Sequence, residues 1–203
     1  MAFTLLELTL VLVVIAALAA MAWPQLTTML QRESLLGNVE QVRQVMDHAR
    51  VQAIRDGITY QLRVEPNGRK YVLLPYDVIT EEQNSGTNSL NATNRLPGDI
   101  RRPIVHELSE DCYFYFENNA LLGERVLFER LGDPWLGMLT DGLLHRDVVW
   151  APPILYTADG SASDGSVTVV DEDKRVITLS VRGLTGAVVA SRIDKLPEKY
   201  SGL

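Results

Sequence analysis

The chain has 203 residues, with 19 Lys plus Arg against 26 Asp plus Glu and a formal net charge of −7. That acidic balance excludes a general electrostatic attraction to nucleic acid or anionic lipid. Cys112 is the only cysteine, so no internal disulfide can form.

The first element, residues 3–24, reads FTLLELTLVLVVIAALAAMAWP. It is apolar from Leu8 to Trp23 apart from Thr9, and its one charge is Glu7. As a helix, residues 3–23 would be about 31 Å long, enough to cross the hydrocarbon core of a bilayer. A carboxylate in such a helix costs roughly 2.5–3.5 kcal/mol on insertion scales, so Glu7 calls for a cationic partner. A cleaved secretory signal would start with a basic region and end at a small-residue site. Here Met1-Ala2 carries no side-chain charge, and Ala20-Met21-Ala22 is the only passable cleavage site of that kind. A plain single-pass anchor leaves Glu7 unexplained.

Beyond Pro24, apolar residues recur at Leu26, Leu30, Leu35 or Leu36, Val39, Val42, Val45 or Met46, Ala49 and Ala53. Intervals of three and four place them on one helical stripe, with charged and amide side chains on the other face. Asp56-Gly57 is the expected stop, because glycine takes the left-handed conformation that ends helices. A helix over residues 3–56 would be about 80 Å long, more than one domain can cover. After the anchor about 180 residues remain, which is one ordinary domain.

The period then becomes strand-like. Residues 58–64 alternate, Pro66-Asn67-Gly68 is turn chemistry, and residues 70–77 form the return strand of a hairpin. Residues 80–99 are polar and read as a long surface loop, with a chance-level glycosylation sequon at Asn91-Ala92-Thr93. Strands are expected at 112–117 and 125–130, and Cys112 in its aromatic run reads as a buried small hydrophobe. Residues 131–145 are ambiguous. Pro152-Pro153 excludes a regular central strand across 148–157. Residues 166–170, 176–181 and 187–193 are the clearest later strands. A long helix followed by many short strands predicts an α+β fold, with the helix stripe packed on antiparallel sheet.

The order small residue, Phe, Thr, Leu, Leu, Glu and then an aliphatic run resembles the processing motif of type IV prepilins and type II secretion pseudopilins. Residues 49–55, and the C-terminal pieces 154–163 and Leu184-Thr185-Gly186, are similar to the minor pseudopilins of the H type and the related FimT-like minor pilins. The resemblance implies a pilin-like fold and cleavage between Ala2 and Phe3 by a prepilin peptidase, with N-methylation of Phe3. The family usually has glycine before the cut and a longer, basic leader. It also implies that Glu7 faces the terminal amine of a neighbouring subunit and that Pro24 kinks the helix. The implied organisation is a leader at 1–2, an assembly and membrane helix at 3–24, its amphipathic continuation at 25–57 and a β-rich head at 58–203. The implied role is that of a non-enzymatic subunit of a secretion pseudopilus or pilus. It would be held in the bacterial inner membrane with its head in the periplasm, and its partners would be other pilin subunits, membrane lipid and secreted cargo.

Two other readings stay open. A DNA-uptake minor pilin would need a basic stripe, and Arg182, Arg192, Lys195 and Lys199 against Asp194 and Glu198 give only a small excess. A membrane-anchored receptor or enzyme would carry its site in residues 78–147. No catalytic, metal or cofactor set emerges. His48, His106 and His145 lack zinc spacing, and the run at residues 159–165 fits no phosphate loop, EF-hand or nucleophile elbow. His48, beside the stripe, reads as a partly buried structural histidine, and Asp171-Glu172-Asp173 as a solvated hairpin tip rather than a cation site.

Overall fold

The computed structural model describes residues 5–76, 103–116 and 127–196, and within its first helix the side chains of 6 and 21–28 lie outside the description. Helix α1, Leu5–Asp56, runs unbroken for 52 residues, about 78 Å. It continues through Pro24, whose side chain is not among those described. It ends where glycine permits: Gly57 has φ 69° and its N–H donates to the Ala53 carbonyl at 3.0 Å.

The strands follow as β1 (Tyr60–Val64), β2 (Lys70–Pro75), β3 (Val105–Glu107), β4 (Cys112–Tyr115) and β5 (Glu129–Arg130). After them come a short helix α2 (Asp133–Met138), a 3-10 turn (Gly142–His145), and β6 (Val149–Trp150), β7 (Ile154–Tyr156), β8 (Gly165–Asp171), β9 (Arg175–Arg182), β10 (Ala187–Ala190) and β11 (Asp194–Lys195). One sheet has the order β3-β2-β1-β7 and a second the order β10-β9-β8-β4, with β11 also on β9; β5 and β6 form a small ribbon. Every pairing is antiparallel. The molecule is α+β, a long helix laid on antiparallel sheets, as the change of period predicts.

Both sheets meet α1. Leu35, Val39, Val42, Met46, Ala49 and Ala53 are buried against Tyr60 and Leu62 of β1, Phe114 of β4, Tyr156 of β7, Val169 of β8 and Leu179 of β9. The helix therefore closes the gap between two sheets that each bury one face. Cys112 lies in this core, and burial pushes its thiol up to about 11. The other face of β1 carries Gln61 and Arg63, both buried, beneath a second cluster that joins Val72 and Leu74 to Leu136, Leu139 and Trp150. The ambiguous stretch 131–145 thus forms a cover of α2 and the 3-10 turn.

Several expectations are corrected. Leu30 is 58% exposed, because the head covers the helix only from Leu35 onward. His48 is exposed, since it sits two residues from Met46 and one from Ala49, well off the buried stripe. Asp171 is 2% exposed instead of solvated, because it closes the β8–β9 turn, accepting from the Arg175 N–H at 2.8 Å and from Arg175 Nε at 2.6 Å. The strand expected over 187–193 breaks at residues 191–193 before β11, and that over 125–130 is seen only as β5. Strand β3 was not anticipated. The whole of the expected loop at 80–99, with Asn91, lies outside the described residues.

Two glycines test what the helix end requires. Gly186 has φ 60°, and a methyl group there would stand 2.8 Å from the Gly160 carbonyl and 3.0 Å from Arg50 Cδ. Gly37, in the exposed middle of α1, would meet nothing within 4 Å. Gly186→Ala is expected to lower unfolding stability by about 1–3 kcal/mol, from left-handed strain plus crowding. Gly37→Ala is expected to raise it by about 0.5–1 kcal/mol. Chemical denaturation of the two variants reads both signs.

Candidate functional site

The first half of α1 stands away from the head. Residues 7–20 are all exposed, and apolar side chains point in every direction, with Leu10 59%, Val13 66% and Ile15 60% exposed. Glu7 is exposed in the first turn of this half. A helix that is apolar all round belongs inside something, either a protein interior or a bilayer. Covering a large aliphatic side chain gains roughly 1.5–3 kcal/mol. Over the nine large apolar residues exposed between Leu5 and Leu18 the gain is of order 10 kcal/mol, as much as the whole stability of a typical domain. This surface therefore acts by being covered. Among the described residues no helix is long and apolar enough to cross a membrane. The side chains of residues 21–28 lie outside the description, whereas the apolar run in the sequence continues to Trp23. Ala2 and Phe3, the expected processing pair, lie outside the described residues.

Where exposure gives way to burial, a polar clamp sets the helix on the head. Asn38 is 5% exposed and sits in the apolar stripe between Leu35 and Val42. Its Nδ2 donates to the Ser34 carbonyl at 2.8 Å and to Ser109 Oγ at 3.1 Å, while its Oδ1 accepts from the Ser109 N–H at 2.9 Å. A polar residue interrupting an apolar stripe was the available sequence signal, and sequence reasoning passed over it. At the far end Arg50 Nε donates to the Gly160 carbonyl at 3.1 Å. The turn holding Gly160 is tightened by Asp159, whose Oδ1 accepts from Thr157 Oγ1 at 2.6 Å and Ser161 Oγ at 2.7 Å. Those bonds hold its carboxyl down to about 2. The glycines and serines of residues 159–163 therefore have structural work, as their turn chemistry implies.

Beneath the 127–150 cover, Arg63 donates through Nε to Gln61 Oε1 at 2.9 Å, and its guanidinium lies 5.8 Å from the Trp135 ring centroid. Glu129 stands 4.0 Å away. Burial lowers the pKa of Arg63, but an arginine keeps its charge. Cation–π contact and a hydrogen bond thus hold a buried cation that orients the cover. Among the described residues no group of three His, Cys, Asp or Glu could hold a metal ion. The three histidines are not brought together: His48 is on the outer face of α1, His106 stacks on Tyr71 in the first sheet, and His145 ends the 3-10 turn. Arg182 and Lys195 lie at opposite ends of β9, about 23 Å apart at strand spacing, with Asp194 beside the lysine. These positions do not join into one basic stripe.

No family model matches the chain, and no curated protein matches it. Among solved structures it is similar to the minor pseudopilin EpsH from the Type 2 Secretion System of Vibrio cholerae. The identity is 13%, covering 81% of this chain and 96% of that chain, with a TM-score of 0.40. At that identity and score the likeness assigns neither a family nor an activity.

Asn38→Ala would take away the acceptor of the Ser109 N–H and the donors to Ser109 Oγ and the Ser34 carbonyl. A loss of about 1–3 kcal/mol in unfolding stability is expected. Hydrogen exchange should quicken first at Ser109 and in α1 near Leu35, because the clamp holds those two together.

Proposed function

We propose that the chain is a non-enzymatic minor pseudopilin, a structural subunit of a type II secretion pseudopilus or a related pilus-like filament. The observation that carries this reading is the exposed, all-round apolar half of α1 with a single carboxylate, Glu7, in its first turn. The prepilin-type order of residues 2–7 and the α+β head support it. Before assembly the apolar half would lie in the inner membrane, with the head on the periplasmic side. In the filament it would move into a bundle of like helices. Apolar burial is then kept, and Glu7 gains the amine of a neighbour cleaved before Phe3. Pro24 would let the helix bend between bundle and head. Other pilin subunits, the prepilin peptidase and membrane lipid are the partners this reading requires, and cargo would meet the head. The acidic head and its scattered basic residues do not favour the DNA-uptake alternative.

The mechanism predicts a separation of effects. Glu7→Val should leave membrane insertion and head folding intact, since it removes an insertion cost of up to about 3 kcal/mol. Assembly should weaken, because removing one partner of a buried pair costs roughly 3–5 kcal/mol. Membrane fractionation measures the first effect and crosslinking to other subunits in cells measures the second. Unchanged crosslinking contradicts the pairing, and loss from the membrane contradicts the reading of this half as a membrane helix. Mass analysis of the amino terminus should find methylated Phe3, while an intact Met1 would rule out the processing.

A further inference from the structure

The outer edge of the second sheet is open among the described residues. Strand β10 is its edge strand, with β9 on one side and no described strand on the other. By the alternation of antiparallel ladders, every second residue of β10 turns its N–H and C=O away from β9. Natural edge strands are usually blunted by lysine, proline or a bulge, yet Ala187-Val188-Val189-Ala190 carries none of these side chains, and Val189 is 46% exposed. Such an edge is a template for another strand.

A cleft of about 530 Å³ lies at the lower end of β10, between this edge and α1. Its apolar wall comes from Leu36, Val39, Ile177 and Ile193, and Arg32 and Arg192 stand exposed at it. Neither arginine makes an ion pair with a described residue. Glu40, at the cleft, is already engaged: it takes a bidentate pair from Arg43, at 2.8 Å and 2.7 Å, and Arg43 also reaches Asp47 at 2.9 Å. Glu33 and Asp194, which follow Arg32 and Ile193 in the chain, pair with neither arginine. The cleft thus offers apolar surface and two available cations beside an unpaired backbone edge.

We infer that β10 and this cleft form a docking site for an extended segment of a partner protein that alternates apolar residues with at least one carboxylate. Such a segment adds to the sheet as a strand alongside β10, its main chain supplying the missing ladder. Its alternate side chains fall on Leu36 and Val39, and its carboxylate meets Arg32 or Arg192. A second copy of this chain is the poorer fit, because residues 187–193, AVVASRI, bring no acid to the arginines. The inference does not depend on the filament reading, since it uses only the head.

The test uses the full chain in detergent micelles and a short peptide alternating valine and threonine with two glutamates. Controls are its glutamate-to-lysine counterpart, an acidic amphipathic helical peptide and phosphatidylglycerol vesicles. The glutamate peptide is expected to bind and to slow amide exchange at residues 187–191. Binding should weaken about tenfold or more with the lysine peptide and with the variant Arg32→Glu, Arg192→Glu, whose substitutions are exposed and leave the fold intact. Absence of binding by the glutamate peptide would overturn the site. So would equal binding of the lysine peptide, protection confined to other residues, or preference for the helical peptide or the vesicles.

Discussion

The packing of the α1 stripe, Leu35 to Ala53, onto two sheets at once is the interaction on which the head depends. Neither sheet could bury its inner face against the other alone, and the helix supplies the apolar wall that both share. The same helix begins thirty residues before Leu35, and its side chains at residues 7–20, 29 and 30 are exposed. One rigid element thus joins a water-adapted head to a surface that water disfavours. Asn38 marks the boundary, since its bonds to Ser34 and Ser109 fix the rotation and height at which the stripe enters the head. Arg50, held between the turns of Gly160 and Gly186, fixes the other end.

Among the described residues the head gathers no group of three His, Cys, Asp or Glu that could hold a metal ion. Several of its charged side chains serve local structure: Asp171 and Arg63, both buried, hold the β8–β9 turn and the cover on the first sheet, and the exposed Asp159 tightens the turn before β8. The proposed function rests on surfaces. The apolar half of α1 meets its surroundings from all sides, whereas the β10 edge with its two arginines offers a directional contact.

Much of the fold is legible in the sequence because its period is. The three-and-four spacing finds Val39, Val42, Ala49 and Ala53 and leaves two choices, Leu35 or Leu36 and Val45 or Met46, of which the fold buries Leu35 and Met46. The alternation of residues 58–64 and the Pro66-Asn67-Gly68 turn find the first hairpin, where Asn67 takes φ 56°. Pro152-Pro153 correctly separates β6 from β7. What escaped depends on tertiary context. Strand β3 is three residues long and forms only because β2 offers an edge. Whether Leu30 and His48 are covered is decided by where the head begins and which way the helix faces, and a stripe alone carries neither fact. Asp171 looks like any acidic turn until Arg175 folds back on it. The apolar run and Glu7, which carry the functional proposal, are plain in the sequence. The β10 edge and its cleft are not, because their parts are separated by more than 140 residues.

The central claim is that residues up to Pro24 exist to be covered while the rest of the chain folds without them. Comparing a fragment that starts at Gln25 with the full chain tests it most directly, by analytical ultracentrifugation in water without detergent and by circular dichroism. The account predicts a monodisperse fragment of mixed helix and strand, and a full chain that associates unless a bilayer or micelle is supplied. A full chain that stays monomeric in water, or a fragment that is unfolded, would contradict it.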